Sequence, residues 1–226
     1  MSLQSILAIA ESVSINDHKF AGQMLSRNMR ISTSEILTVQ PFQFTINPMK
    51  YLQYSTNRGV LSALRTADRI TEQYINFGTT GWLNYIKYQG DMTSVQANAT
   101  TIEVGTTGKN IILGTLPAIS SALYIVKIGD FIQIDRYAYI ATANVQRGGS
   151  STVTIPVHRT IMTTVSAQSP AVIGQYGTTT SLGGSTYTGI TFPVVLRDYP
   201  TYTLVPMTND SFIQWDGAFN AYEVVL

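Results

Sequence analysis

The 226-residue chain has no cysteine. That excludes a disulfide frame and a thiolate zinc site. Histidine is nearly absent too, with only His18 and His158, which sit in different segments. A metal site built from them would need carboxylate help that no spacing supplies; both are read as surface or edge-strand histidines. Charged residues make up only 12% of the chain, about half the usual share of a globular domain. The net charge is +1, so no strong field toward nucleic acid or membrane is expected. Residues 1–90 carry a slight excess of base and 91–226 a slight excess of acid, a split too small to name a partner. No run approaches the 18 apolar residues of a membrane span. The N-terminus lacks a basic region and Glu11 closes its short apolar run, which is not the pattern of a signal peptide. The sequons Asn98-Ala-Thr and Asn209-Asp-Ser therefore carry no glycosylation reading.

What is present is a hydrophobic content of 44%, enough for a core, and thirteen tyrosines. Thr, Ser, Asn, Gln and Tyr occupy the surface that charge usually covers. Interfaces favour aromatics and deplete charge, so the composition points to a protein that buries surface against partners. The plainer alternative is a neutral, Thr-rich secreted β domain.

The chain is organised around Val39–Phe77. Phe42, Phe44 and Ile46 alternate with Gln43 and Thr45, the period of a half-buried strand. The apolar parity flips around Pro41, which predicts a β-bulge at a strand edge. Asn47-Pro48 predicts the end of the strand. Ser55, Thr56 and Asn57 are candidate N-caps. Val60, Leu61, Leu64, Ala67 and Ile70 then recur at helical spacing, which predicts a helix over 56–73 with Arg58, Arg65 and Arg69 on its other face. Upstream, Leu3, Ile6, Leu7 and Ala10 predict two turns of amphipathic helix.

The run from Trp82 to Tyr88 is apolar on both faces and reads as a central strand. Met92–Thr101 is small and polar and reads as a linker. Residues 101–160 read as a meander of short strands with a hairpin signal at Arg147-Gly148-Gly149-Ser150. Pro156 makes its strand an edge. Residues 162–189 read as a long Gly/Ser/Thr-rich loop or loose hairpin. The apolar C-terminal AYEVVL adds a strand to a sheet. Chain ends usually lie close together, so residues 1–90 with about 186–226 form one domain and 91–185 a small inserted β domain. The expected fold is mainly β: a β-sandwich or barrel with one flanking helix, plus a second small β-barrel or sandwich.

Catalytic signals are poor. There is no metalloprotease, nucleophile-elbow, P-loop or dinucleotide pattern. Asp130 and Asp135 differ by an odd number and point to opposite faces of a regular strand, unlike a glycosidase pair. Asp210 and Asp216 read as turn residues. The Arg58/Arg65/Arg69 stripe is interleaved with Asp68 and Glu72, so it reads as a solvated face or subunit contact, not a nucleic-acid stripe. Trp82 and Trp215 read as core or interface residues, with sugar stacking as the sharper alternative. No enzyme activity, metal or cofactor is expected.

The blocks SLQSILAIAESVSI at 2–15, STNRGVLSALRTADRITEQYINFG at 55–78, YQGD at 88–91, KIGDFIQIDRYAYIATANVQRGGSSTVTIPVHR at 127–159, YTLVP at 202–206 and IQWDGAF at 213–219 resemble a β-rich tail or baseplate protein of tailed bacteriophages. Where that pattern has Arg-Tyr-Pro-Tyr, this chain has Arg136-Tyr137-Ala138-Tyr139. The resemblance is to distal-tail and tube-initiator proteins. It implies a tail-tube-like domain, a virion location after synthesis in the host cytoplasm, and a homo-oligomeric, sixfold ring joining the tail tube to hub, baseplate or fibre proteins. On that reading Arg58, Arg65, Arg69 and the edge at Pro41 are subunit contacts. The alternative is a carbohydrate or receptor reader in the 91–185 domain, stacking sugars on Tyr137, Tyr139, Trp82 or Trp215.

Overall fold

The computed structural model describes residues 3–17, 21–25, 31–35, 41–66, 70–78 and 84–225. Along the chain run α1 (Gln4–Leu7), β1 (Ala10–Asn16), β2 (Ala21–Leu25), β3 (Ile31–Glu35), β4 (Gln43–Pro48), β5 (Leu52–Gln53), α2 (Tyr54–Thr66) and β6 (Gln73–Asn76). Then come α3 (Ser94–Ala99), β7 (Thr101–Ile102), β8 (Asn110–Gly114), β9 (Tyr124–Val126), β10 (Phe131–Ile134), β11 (Tyr137–Ile140), β12 (Val145–Gln146) and β13 (Val153–Pro156). β14 (Ser169–Pro170), β15 (Val172–Ile173), β16 (Thr178–Leu182), β17 (Ser185–Thr188), β18 (Thr191–Asp198), β19 (Thr201–Met207), β20 (Asp210–Asp216) and β21 (Phe219–Glu223) complete the chain. The protein is mainly β. It divides into two compact units, Met1–Ile75 with Pro193–Leu226, and Asn76–Phe192.

In the first unit an antiparallel sheet has the order β1-β4-β21-β18-β6. Alternation builds its centre: Phe42, Phe44 and Ile46 are buried and the residues between them are not. β21 pairs with β4 through Phe219↔Ile46 and Ala221↔Phe44, so the apolar C-terminal ending does join the N-terminal sheet. Buried Glu223 closes the seam. Its Oε2 accepts the Phe42 N–H at 3.0 Å, a charge-assisted bond that satisfies a backbone donor ahead of the strand. Against the sequence reading, β4 runs through Asn47 to Pro48, which pairs with Ala10; a proline is tolerated as the last residue of a strand. The register irregularity falls in β1, between Ala10 and Ser12, and not at Pro41.

α1 is a single turn, shorter than its periodicity suggests, with Leu3, Ile6 and Leu7 buried. α2 begins at Tyr54 and its described part ends at Thr66; Ile70 is 89% exposed in a bend, and β6 starts at Gln73. The helix expected over 56–73 is therefore too long at its C-terminal end. Leu61 and Leu64 are its buried anchors, each contributing about 1.5–3 kcal/mol of burial, and the helix packs on β5 and β20.

In the second unit small antiparallel sheets (β11-β10-β15, β13-β8-β7-β14 and β12-β9) enclose one core that includes Ile111, Leu113, Ile125, Ile132, Tyr139 and Ile155, and β16 pairs with β17 as a separate hairpin. β13 lies at the edge of its sheet, where Pro156 loses no ladder bond. Residues 76–90 and 186–192 belong to this unit, not to the first as the sequence reading had it. The reason is side-chain anchoring: the Tyr88 hydroxyl donates to Ile125 O at 2.6 Å and accepts the Met92 N–H at 3.2 Å. Tyr85 and Ile86 form a turn instead of the expected strand. Gly174, with φ +57, lets this segment approach: a Cβ there would lie 2.7 Å from Ile86 O. The expected linker at 92–101 is α3, nucleated by a capping box between Thr93 and Gln96. The expected loop over 162–189 contains β14, β15 and the β16–β17 hairpin.

Gln133 is 1% exposed and holds Thr191, next to the last residue of this unit. Its Oε1 accepts the Thr191 N–H at 2.8 Å, and its Nε2 donates to Thr191 O at 2.8 Å and to Asp135 O at 3.2 Å. Gln133→Leu leaves two buried backbone groups of Thr191 without these partners. The expected cost is about 2–3 kcal/mol, measured as a lowered urea midpoint, whereas Gln133→Glu retains an acceptor for the N–H but loses the donor.

Candidate functional site

The residues singled out from sequence do not converge. Arg58 is exposed on α2. Arg65 is on the same helix, but its side chain lies outside the described residues, as do Arg69 and Trp82. Pro41 is half-buried just ahead of β4, an interior strand flanked by β1 and β21. It is therefore not at a free edge, and the edge contact expected there is withdrawn. Tyr137 and Tyr139 are 3% and 0% exposed. β11 is covered on both faces, so these rings are core and unavailable for sugar stacking.

The polar candidates are also accounted for by structure. Asp130 is buried, and its carboxylate accepts the backbone N–H groups of Gln89 at 2.7 Å and Lys127 at 2.8 Å. Burial raises its pKa and those N–H bonds oppose the rise. Asp135 is the turn residue between β10 and β11, with φ +53. Asp91 accepts the Tyr124 N–H and pairs with Lys127 at 3.1 Å, which hold it below the ordinary carboxylate value. Among the described residues no group of three His, Asp or Glu is placed to hold a metal ion, and no helix is long and apolar enough to cross a membrane. A cleft of about 360 Å³ in the second unit is lined mainly by Thr, Ser and Gln, with Asp135 its one charged residue and no aromatic side chain.

Exposed apolar side chains concentrate elsewhere, in the first unit. β19, β20 and β5 form a three-stranded sheet in that order. β19 pairs with β20 along its full length, from Thr201↔Asp216 to Met207↔Asp210, and its other edge is open among the described residues. Leu204, Val205 and Met207 are 46%, 38% and 42% exposed. Neighbouring strand residues point to opposite faces, so both faces of this edge strand are apolar and uncovered. The strand contains no charged residue. Its hairpin is held from the tip. Asp210 accepts the Ser55 hydroxyl at 2.7 Å and the Ser55 N–H at 3.3 Å in the first turn of α2, and these bonds depress its pKa. A carboxylate there also suits the positive end of the helix.

On the opposite edge of the same sheet, β5 covers β20 only at Phe212 and Ile213. Past that point Gln214 and Trp215 line a cleft of about 670 Å³ whose other wall includes Glu11, Asn47, Met49 and Tyr51. Met49 is 42% and Tyr51 63% exposed. Tyr51 has φ +62, a left-handed backbone that a bulky residue adopts at a cost of about 1–3 kcal/mol. Its ring leans edge-on against Phe212, with centroids 5.9 Å apart. Trp215 stacks edgewise on Tyr202 and Phe219, and its buried Nε1–H has no acceptor among the described residues. Sequence reasoning passed over Leu204, Met207, Met49 and Tyr51. The signals available were an uncharged strand at 201–207 and, far from it in the sequence, a Pro48-Met49-Lys50-Tyr51 turn.

No protein-family model matches the chain, and no curated protein matches it significantly.

Proposed function

We propose that the protein is a structural component of a bacteriophage tail, assembling through copies of itself into a ring where the tail tube meets the baseplate, with contacts to hub or fibre proteins. The observation that carries this reading is β19, an uncharged edge strand with Leu204, Val205 and Met207 exposed on its two faces. Large exposed apolar patches mark interaction sites in folded proteins. The near-neutral chain adds little Coulomb repulsion between copies. The motif resemblance supplies the tail context. Mass photometry and sizing across a concentration series test the reading. Discrete oligomers built from the 24.8 kDa chain are expected. A protein that stays monomeric throughout, alone and mixed with tail-tube subunits, overturns it.

A further inference from the structure

We infer that residues 76–192 form a self-contained module that opens and closes as one cooperative unit, apart from the unit that carries it; this goes beyond the assembly reading and does not depend on it. The two ends of the module are locked to each other inside it. Asn76 is 3% exposed, and its Nδ2 donates to Thr188 O at 2.9 Å and to Thr191 Oγ1 at 2.7 Å. The rings of Phe77 and Phe192 meet edge-on at 5.7 Å. Gly78 lets the two chain segments of this clamp approach, since a Cβ there would lie 2.6 Å from Thr188 O.

Backbone partners change over within one peptide bond. The Gly189 N–H donates to Gly177 O and the Ile190 N–H to Gly174 O, each at 2.9 Å. Both backbone groups of Thr191 bond the Gln133 side chain. All these partners lie in the module. Pro193 has no N–H, and its carbonyl accepts the Val224 N–H at 2.9 Å, a partner in the first unit. The first unit is closed without the module as well. Phe219↔Ile46 and Ala221↔Phe44 pair its two pieces, and Glu223 accepts from Phe42. Each unit also has buried apolar anchors of its own, Ile111, Leu113 and Ile132 in one and Phe44, Ile46 and Phe219 in the other. Cooperative opening units follow contiguous packing and hydrogen bonding. The module closes its own long loop at the clamp, so the clamp is the point at which it is released while β4 and β21 stay paired.

The test is hydrogen exchange of the full-length protein, read by mass spectrometry across a series of sub-denaturing urea concentrations. Peptides covering β8 and β10 should share one opening equilibrium, and peptides covering β4 and β21 another. Asn76→Ala removes the two clamp bonds and should speed exchange in β8 and β10 roughly tenfold or more. Exchange in β4 and β21 should stay within about twofold of wild type, as for independent sites. Ile46→Val, a mild truncation of a buried side chain in β4, should do the reverse, with a change of roughly threefold or more in β4 and β21 alone. Should Asn76→Ala fail to fold, Phe77→Leu takes its place, since it weakens the clamp and keeps an apolar side chain there. Equal loss of protection in all four strands after either substitution overturns the inference and shows a single cooperative fold. Faster exchange confined to residues 76–78 and 188–192 also overturns it, because the module then stays closed without its clamp.

Discussion

Phe192→Ala should destabilise the protein by about 3–5 kcal/mol, the range for emptying a buried aromatic site. Phe192 is 0% exposed and belongs to a four-ring cluster within the second unit. Its ring meets Phe77 at 5.7 Å and Phe131 at 6.1 Å, both edge-on. Tyr85 closes the set, 4.9 Å from Phe131 and 6.5 Å from Phe77. Edge-to-face pairs add about 0.5–1.5 kcal/mol beyond burial, so truncating Phe192 loses two such contacts as well as the buried area. Position adds to the cost. Phe77 and Phe192 stand at the two ends of the Asn76–Phe192 unit, and their contact joins those ends after a long excursion of chain, offsetting the entropy of closing it. The measurement is the urea midpoint, with the slope unchanged if the denatured state is unaffected. Ile128→Ala, at a position 64% exposed, is the control and should change stability by less than about 0.5 kcal/mol. A Phe192→Ala midpoint indistinguishable from this control would contradict the packing described.

The strands were the legible part of the chain because burial on one face leaves a period of two in the sequence. β4, β13 and β21 have that pattern and sit where it places them. Helix ends were less legible. Ile70 continues the apolar spacing of α2, yet it is exposed beyond the helix; spacing alone does not register where a chain turns away. α3 was hidden by its small polar residues, although Thr93-Ser94-Val95-Gln96 spells a capping box. The run Trp82–Tyr88, read as a central strand, misled in the other direction. In its described part Tyr85 and Ile86 form a turn, Ile86 and Tyr88 are buried, and the segment is pinned by side-chain bonds to distant residues, including the Tyr88 N–H donated to Gln175 Oε1 at 2.8 Å. The candidate site was the least legible. Whether Leu204 or Tyr139 faces solvent depends on what lies beside the strand, and a single strand of sequence carries no record of its neighbours. β11 is covered on both faces, while β19 leaves Leu204, Val205 and Met207 exposed, yet both read in the sequence simply as short uncharged strands.

Acidification should weaken the fold through His158. Its Nδ1 accepts the Ile140 N–H at 3.0 Å, a bond that requires an unprotonated nitrogen. Burial lowers its pKa from 6.5 to about 3, with the positive charge of Arg159 next door acting in the same direction and Lys109 adding to it. The unfolded chain takes up a proton near the ordinary value while the folded protein does not. Between those two values the unfolded state holds more protons, so stability falls as pH falls, starting near 6.5 and continuing toward 3. One pKa unit corresponds to about 1.4 kcal/mol, so lowering the pH from about 6.5 to 5 should cost on the order of 2 kcal/mol. Asp130, whose pKa is raised by burial, acts with the opposite sign from the ordinary carboxylate value upward, and Asp91 and Asp210, whose pKa values are lowered, lose their contribution only below it. The comparison that isolates His158 is urea unfolding of wild type and His158→Asn at both pH values. The substitution retains an oxygen acceptor and does not titrate. Wild type should lose stability across this window while His158→Asn stays nearly flat; parallel profiles would show that the acid sensitivity arises elsewhere.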